Sequence, residues 1–168
     1  MIVLETERLV LREVEAADAA FLLDLLNSPG FLENIGDRGV RDEDQSRAYI
    51  ADRITASYRD HGFGMWLAER RSDGKPVGLA GLVRREGLDY PDVGYAFMPL
   101  AWGQGYAQEA AAAVVAHARG ALGIPVLAAI TTPENFASMA VLRKIGFTDR
   151  GMISLPGAER ESTYFTCP

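Results

Sequence analysis

The run Pro99-Leu100-Ala101-Trp102-Gly103-Gln104-Gly105-Tyr106-Ala107-Gln108-Glu109-Ala110 constrains this chain more than any other stretch. Before it, Val93-Gly94-Tyr95-Ala96-Phe97-Met98 is an apolar run with the length of a buried strand. After it, Ala107 to Ala118 is alanine-rich and reads as a helix. A strand, a glycine-bearing turn and a helix start gather free backbone N–H groups round one point, at the positive end of the helix dipole. Such a point suits a phosphate or pyrophosphate. Gly103 and Gly105 carry no side chain to hold a ligand away from the main chain.

Two phosphate-binding patterns fail here. A Walker loop ends in Gly-Lys-Ser/Thr, and Gly105-Tyr106-Ala107 has none of it. A dinucleotide fingerprint wants a third glycine at Gln108 and a place after the first strand of a βαβ unit, whereas this loop lies past mid-chain. Trp102-Gly103-Gln104-Gly105-Tyr106-Ala107 instead resembles the acyl-CoA loop of the GCN5-related N-acetyltransferases (GNAT), whose pattern is Arg/Gln-x-x-Gly-x-Gly/Ala. Trp102 replaces the usual Arg or Gln. The longer run Trp-Gly-x-Gly-Tyr-Ala-x-Glu-Ala is similar to the RimJ/RimL-like ribosomal-protein N-acetyltransferase branch. So is the opening, Glu5-Thr6-Glu7-Arg8-Leu9-Val10-Leu11-Arg12, which by itself reads only as an edge strand with polar ends.

A second motif lies about 30 residues further on, in the right order and on the right kind of element. Asn135-Phe136-Ala137-Ser138-Met139-Ala140-Val141-Leu142-Arg143-Lys144-Ile145-Gly146-Phe147 resembles the acetyltransferase pattern Asn-x-x-Ser-x-x-x-x-x-Lys-x-Gly-Phe. An amphipathic helix capped by glycine explains its apolar positions. It does not explain Asn135 and Ser138, three residues apart on one flank.

Composition narrows the class. With 168 residues, 48% of them hydrophobic and 24% charged, the chain reads as one soluble domain over residues 1–168. The net charge of −6 argues against non-specific nucleic-acid binding and mildly favours cationic substrates. A single cysteine, Cys167, rules out an internal disulfide framework and fits a reducing cytoplasm. Two histidines and that cysteine, far apart, make no metal cluster, so no metal is expected. No run has the length of a membrane span, and the N-terminus lacks the order of a signal peptide. Monomer and homodimer both remain open.

Periodicity and turn signals predict seven strands and four helices. The strands are Glu5–Arg12, Phe63–Arg70, Pro76–Arg84, Asp92–Met98, Pro125–Ile130, Phe147–Leu155 and Glu161–Thr166. The helices run from Asp18 to Asn27, from Glu43 to Tyr58, from Ala107 to Ala118 and from a Thr132 cap to Lys144, with 31–42 as charged loop. Most strands form an antiparallel meander. The helix between the fourth and fifth makes that pair parallel. The resemblance implies the GNAT fold: an α/β (α+β) architecture with a mixed, mostly antiparallel sheet of six or seven strands, splayed between strands four and five and flanked by about four helices.

The implied reaction moves an acetyl group from acetyl-CoA directly to a primary amine, a protein N-terminus or a small molecule. The resemblance assigns acetyl-CoA to Trp102, Gly103, Gln104, Gly105, Tyr106, Ala107, Asn135 and Arg143, and to a main-chain N–H near Phe97 or Met98 that polarises the thioester carbonyl. Asn135 would hydrogen-bond the pantetheine arm or the peptide near it, and Arg143 and Lys144 either face the nucleotide phosphates or stay solvated. Many relatives protonate the leaving thiolate with a tyrosine, but that position is Leu142 here. Ser138 matches the serine that the RimJ/RimL-like group uses instead, the alternative being packing in the first turn of the helix.

The acceptor must arrive neutral. At pH 7 that costs roughly 1.4 kcal/mol for an α-amine and about 4.6 kcal/mol for a lysine-like amine. No base is assigned: Arg150 stands near where related enzymes carry an acid, its neighbour Asp149 is a stand-in that a strand turns to the opposite side, and His61 reads as a solvated helix end. Trp66, Tyr90, Tyr95 and Trp102 are aromatics for either the acceptor cleft or the core. The missing tyrosine and base keep a second class open, a non-catalytic acyl-CoA-binding or sensor domain on the same fold.

Overall fold

A computed structural model describes residues Met1–Pro168. In chain order the strands are β1 (Ile2–Glu5), β2 (Leu9–Arg12), β3 (Met65–Arg70), β4 (Pro76–Val83), β5 (Asp92–Phe97), β6 (Leu127–Thr131), β7 (Thr148–Ile153) and β8 (Ser162–Cys167). The helices are α1 (Ala19–Leu26), α2 (Pro29–Asn34), α3 (Glu43–Tyr49), α4 (Ala56–His61), α5 (Tyr106–Gly120) and α6 (Phe136–Lys144). A π-helical segment, Ile50–Thr55, joins α3 to α4. No helix is long and apolar enough to cross a membrane.

All eight strands form one sheet in the order β1-β2-β3-β4-β5-β6-β8-β7. Only β5 and β6 pair in parallel, and they share a single registered pair, Asp92 with Ala128. Beyond it the two strands part, as the fold class requires. The α/β class and the mostly antiparallel sheet are as the sequence predicts, with differences of detail: the helix expected over Glu43–Tyr58 runs as α3, the π-helical segment and α4, as far as His61. The opening strand is a hairpin, because Thr6 and Arg8 leave the ladder to bond elsewhere. Residues 29–34 form α2 rather than loop, with Pro29 at its first turn, where a missing N–H costs nothing. The cap of α6 is Asn135, not Thr132; residues 132–134 turn instead, with the Asn135 N–H bonded to the Thr132 carbonyl at 3.1 Å.

The alternation of side chains along each strand sorts the core into two layers. On one face α5 and α6 cover Leu9, Leu11, Trp66, Ala80, Val93 and Phe97. On the other, α1 to α4 enclose Leu22, Leu25, Leu26, Ile50 and Ile54 over Leu67 and Leu79. Alanines at 110, 111 and 118 let α5 lie close on the sheet. Gly78 serves the same closeness within the sheet, since a Cβ there would stand 2.4 Å from the Ala96 carbonyl oxygen.

Candidate active site

The parting of β5 from β6 leaves main-chain groups without ladder partners. On β5, the Met98 N–H bonds the Val77 carbonyl at 2.9 Å, which turns Met98, Ala96 and Gly94 toward β4. Tyr95 and Phe97 alternate with them and face the opening. This corrects one expectation: Met98 has its N–H committed within the sheet, and the group turned to the gap is that of Phe97. The Phe97 carbonyl meets a substitute partner, the indole Nε1 of Trp102 at 2.8 Å. Trp102 is 54% exposed, yet its ring lies against α2, where a Cβ on Gly30 would come within 2.6 Å. A Trp in place of the family's Arg or Gln therefore closes an orphaned carbonyl.

After Trp102, Gly103 (φ 75°) and Gly105 (φ 79°) take left-handed backbone conformations that other residues adopt only with strain. Gly105 is the N-cap of α5 and supplies no side-chain cap. The first-turn N–H groups of Tyr106, Ala107 and Gln108 therefore have no helical partner. Space above Gly103 is open, with nothing within 4 Å of a built Cβ. These groups fit a pyrophosphate.

The opening hairpin braces this loop. Glu109, in the first turn of α5, accepts from Thr6 Oγ1 at 2.5 Å, the Arg8 N–H at 2.9 Å and Arg8 Nε at 2.7 Å. Arg8 Nη1 also reaches the Gln104 carbonyl at 2.7 Å, and its guanidinium stacks 4.5 Å over the Tyr106 ring. Burial opposes the ionisation of Glu109, but the bonds from Thr6 and Arg8 outweigh it and hold the carboxyl below its usual range. The Glu-Thr-Glu-Arg opening thus has a local physical purpose.

A cleft of about 1340 Å³ runs from this loop through the gap to the α1–α4 side. It gathers Phe97, Trp102, Gly103, Gly105, Tyr106, Ala107, Asn135 and Ser138. Tyr106 has its side chain buried in the core and offers the cleft its main chain. Gln104 lies outside the lining, its side chain bonded to the Leu100 carbonyl at 3.1 Å. Arg143 is likewise outside: it leans over the Phe165 ring and pairs with Asp149 at 3.7 Å, while Lys144 lines the cleft in its place.

Asn135 Oδ1 caps α6 by accepting the Ser138 N–H at 3.2 Å, which leaves its amide NH₂ for a ligand. Ser138 Oγ stands 2.7 Å from Tyr95 Oη. Burial pushes the Tyr95 phenol up to about 12, against the opposing bond to Ser138. Leu142, only 1% exposed, belongs to the core and brings no proton.

Asp149 does not serve the cleft. It accepts the Gly151 N–H at 2.8 Å on the outer strand β7, where a register shift between Asp149 and Met152 turns the segment outward. Arg150 bonds Thr166 Oγ1 at 2.8 Å. His61 ends α4, exposed and stacked on Phe63 at 5.6 Å. Trp66 is core.

The carboxylate that sequence reasoning missed is Asp92. It is 2% exposed, lines the cleft, and has Oδ1 without a partner while Oδ2 lies 3.4 Å from Arg85 Nε. Burial pushes its carboxyl up, against the pull of Arg85. Thr131 Oγ1, also in the lining, is the other buried side-chain atom left unpaired. An aspartate at the start of an apolar strand gives no sequence signal of this kind, because its burial depends on what the folded chain packs around it.

Residues 8–148 match the acetyltransferase (GNAT) domain family, and the chain belongs to that family. It is 34% identical over 146 residues to the uncharacterized protein YkkB of Bacillus subtilis, covering 85% of this chain and 83% of that protein. It is 27% identical over 152 residues to the uncharacterized N-acetyltransferase YoaA of Bacillus subtilis, covering 90% and 85%. Among solved structures, an acetyltransferase from Agrobacterium tumefaciens superposes with a TM-score of 0.83 at 26% identity, over 100% of this chain and 95% of that one. RimL, the ribosomal L7/L12 alpha-N-protein acetyltransferase solved in complex with coenzyme A, superposes with a TM-score of 0.83 at 20% identity, over 99% and 97%. At that identity the likeness is one of fold.

Proposed function

We propose that the chain transfers an acetyl group from acetyl-CoA directly to a primary amine. One observation carries this reading: a cleft joins unpartnered helix N–H groups, a main-chain N–H in the strand gap and a serine hydroxyl. The α5 N-terminus and the glycine loop hold the pyrophosphate. The free amide of Asn135 holds the pantetheine arm. The Phe97 N–H stands at the gap where the thioester carbonyl lies, and stabilises the oxyanion that develops there. The amine nitrogen bonds to the carbonyl carbon, and the C–S bond breaks with its electron pair on sulfur. Ser138 donates a hydrogen bond to that sulfur. Asp92 lines the same cleft five residues back along β5 from Phe97, and a file of several waters carries to it the proton that the amine must lose.

The acceptor is an α-amine on a peptide or a small molecule. An α-amine asks about 3 kcal/mol less of the site than a lysine-like amine does. The resemblance of Trp102 to Ala110 and of the Glu5–Arg12 opening to the RimJ/RimL-like branch supports placing the chain beside the ribosomal-protein enzymes, and the cleft's α1–α4 side gives an extended N-terminus a way in. Thiol release tests the reading against two panels. One panel holds peptides with ribosomal-protein-like N-termini, the other polyamines, amino acids and aminoglycosides. Release with peptides identifies a protein N-terminal acetyltransferase, and release only with small amines a small-molecule one. Tight acetyl-CoA binding with no release from either panel would contradict transfer and favour the acyl-CoA sensor.

A further inference from the structure

The contact between Tyr95 and Ser138 crosses from β5 to the first turn of α6, at the place where those two elements frame the gap. Tyr95 Oη stands 2.7 Å from Ser138 Oγ, where either hydroxyl can be the donor, and 3.1 Å from the Ser138 carbonyl oxygen, which can only accept from the phenol. Two hydroxyls at 2.7 Å share one hydrogen bond, and one of them must donate it. If serine donates, its only proton points at the phenol and none is left for a sulfur. If the phenol donates, the serine proton is free.

Three observations decide between these arrangements. The Ser138 carbonyl already faces the helix bond from residue 142, so it makes the weaker claim on the phenol proton, as its longer distance also says. The Ser138 N–H is taken by Asn135 Oδ1 at 3.2 Å, which fixes the first turn and leaves Oγ no main-chain donor of its own. A phenol is a better donor than an aliphatic hydroxyl, and burial keeps this one protonated throughout the working pH range.

We infer that Tyr95 is a positioning residue for the transfer: its phenol donates to Ser138 Oγ and so turns the serine's single proton toward the sulfur of a bound thioester or thiol. The inference rests on the proposed role of Ser138. The phenol polarises the serine hydroxyl in the same direction, since a hydroxyl that accepts a bond donates a stronger one. Neither hydroxyl loses its proton for good. As the C–S bond breaks, the serine O–H shortens its bond to the thiolate, the amine proton passes through water to Asp92, and the phenol stays neutral.

The test needs no acceptor. CoA and desulfo-CoA are titrated by calorimetry into the wild type, Tyr95→Phe, Ser138→Ala and the double variant, at several pH values up to about 9.5, spanning a thiol's ionisation. The ratio of the two affinities isolates the sulfur, because every other contact cancels. In the wild type this ratio rises with pH, as donors favour the thiolate. Tyr95→Phe lowers the ratio at high pH by about fivefold, the effect of one hydrogen bond. Ser138→Ala lowers it at least as far, and the double variant matches Ser138→Ala because Tyr95 acts only through the serine. Desulfo-CoA affinity stays the same in all four, which certifies the fold.

An unchanged ratio in Tyr95→Phe overturns the inference while leaving the serine in place. So does a loss of the same factor in the Ser138→Ala background, or a desulfo-CoA affinity that falls with the phenol. A wild-type ratio in Ser138→Ala removes the reading beneath it, and failure of the wild type to bind CoA removes the site.

Discussion

Two carboxylates show how placement decides chemistry at the level of single residues. Glu109 and Asp92 are both drawn from solvent, but Glu109 accepts three hydrogen bonds and Asp92 keeps an oxygen with none. Their pH dependences therefore have opposite signs. Glu109, held below its ordinary range, contributes stability above the unfolded glutamate value, and that stability is lost as pH falls through the folded one. Asp92, pushed up, favours the folded state when protonated, so stability falls as pH rises from the ordinary aspartate value through the raised one. Asp92→Asn should gain on the wild type across that window in melting experiments at stepped pH, then hold a constant lead above it. Parallel curves throughout would show that the carboxylate carries no such strain. In turnover, Asp92→Asn should lower kcat/KM and flatten its rising limb with pH. Ser138→Ala should lower kcat by about ten- to a hundredfold with KM for acetyl-CoA little changed.

Among elements, the glycine loop and the hairpin that braces it act as one unit. Glu109→Ala leaves Thr6 and the Arg8 N–H without their acceptor and should cost about 2 kcal/mol in denaturant unfolding. Arg8→Ala should cost less, under about 1 kcal/mol, because its guanidinium is 42% exposed and screened. Equal losses would mean that the ion pair, not the main-chain bonding, holds the hairpin to α5. Gly103→Ala meets no neighbour within 4 Å, so its cost, about 1–2 kcal/mol, is that of the left-handed backbone alone. It should weaken acetyl-CoA binding at the same time, and unchanged stability would contradict the need for that conformation. Trp102→Phe keeps the ring against Gly30 but strips the Phe97 carbonyl of its donor. A loss of about 1–2 kcal/mol is expected in the same unfolding experiment.

Across the whole molecule, one broken pairing organises the rest. The parallel β5–β6 pair closes at Asp92 and Ala128 and opens beyond them. The opening exposes the Phe97 N–H and lets α6 bring Ser138 against Tyr95. The strand–loop–helix unit around Gly103 and Gly105 was legible in the sequence, as was the parallel crossover, because each depends on local spacing. So was the place of Ser138 on the cleft, through its spacing from Asn135 at the start of α6. The turn at Thr6–Arg8 and the idle Arg143 were not legible. Both depend on partners about 100 and 6 residues away, Glu109 and Asp149, whose positions only the folded sheet sets. Asp92 was hidden for a similar reason: nothing near it in the chain records the burial that leaves its Oδ1 unpaired.

The proposed acetyl-CoA site is this gap together with the α5 N-terminus. Calorimetric titration with acetyl-CoA, on the wild type beside Gly103→Ala, is its test. One molecule bound per chain is expected, with a reduced affinity in the variant. No binding by the wild type, or equal binding by the two, would contradict it.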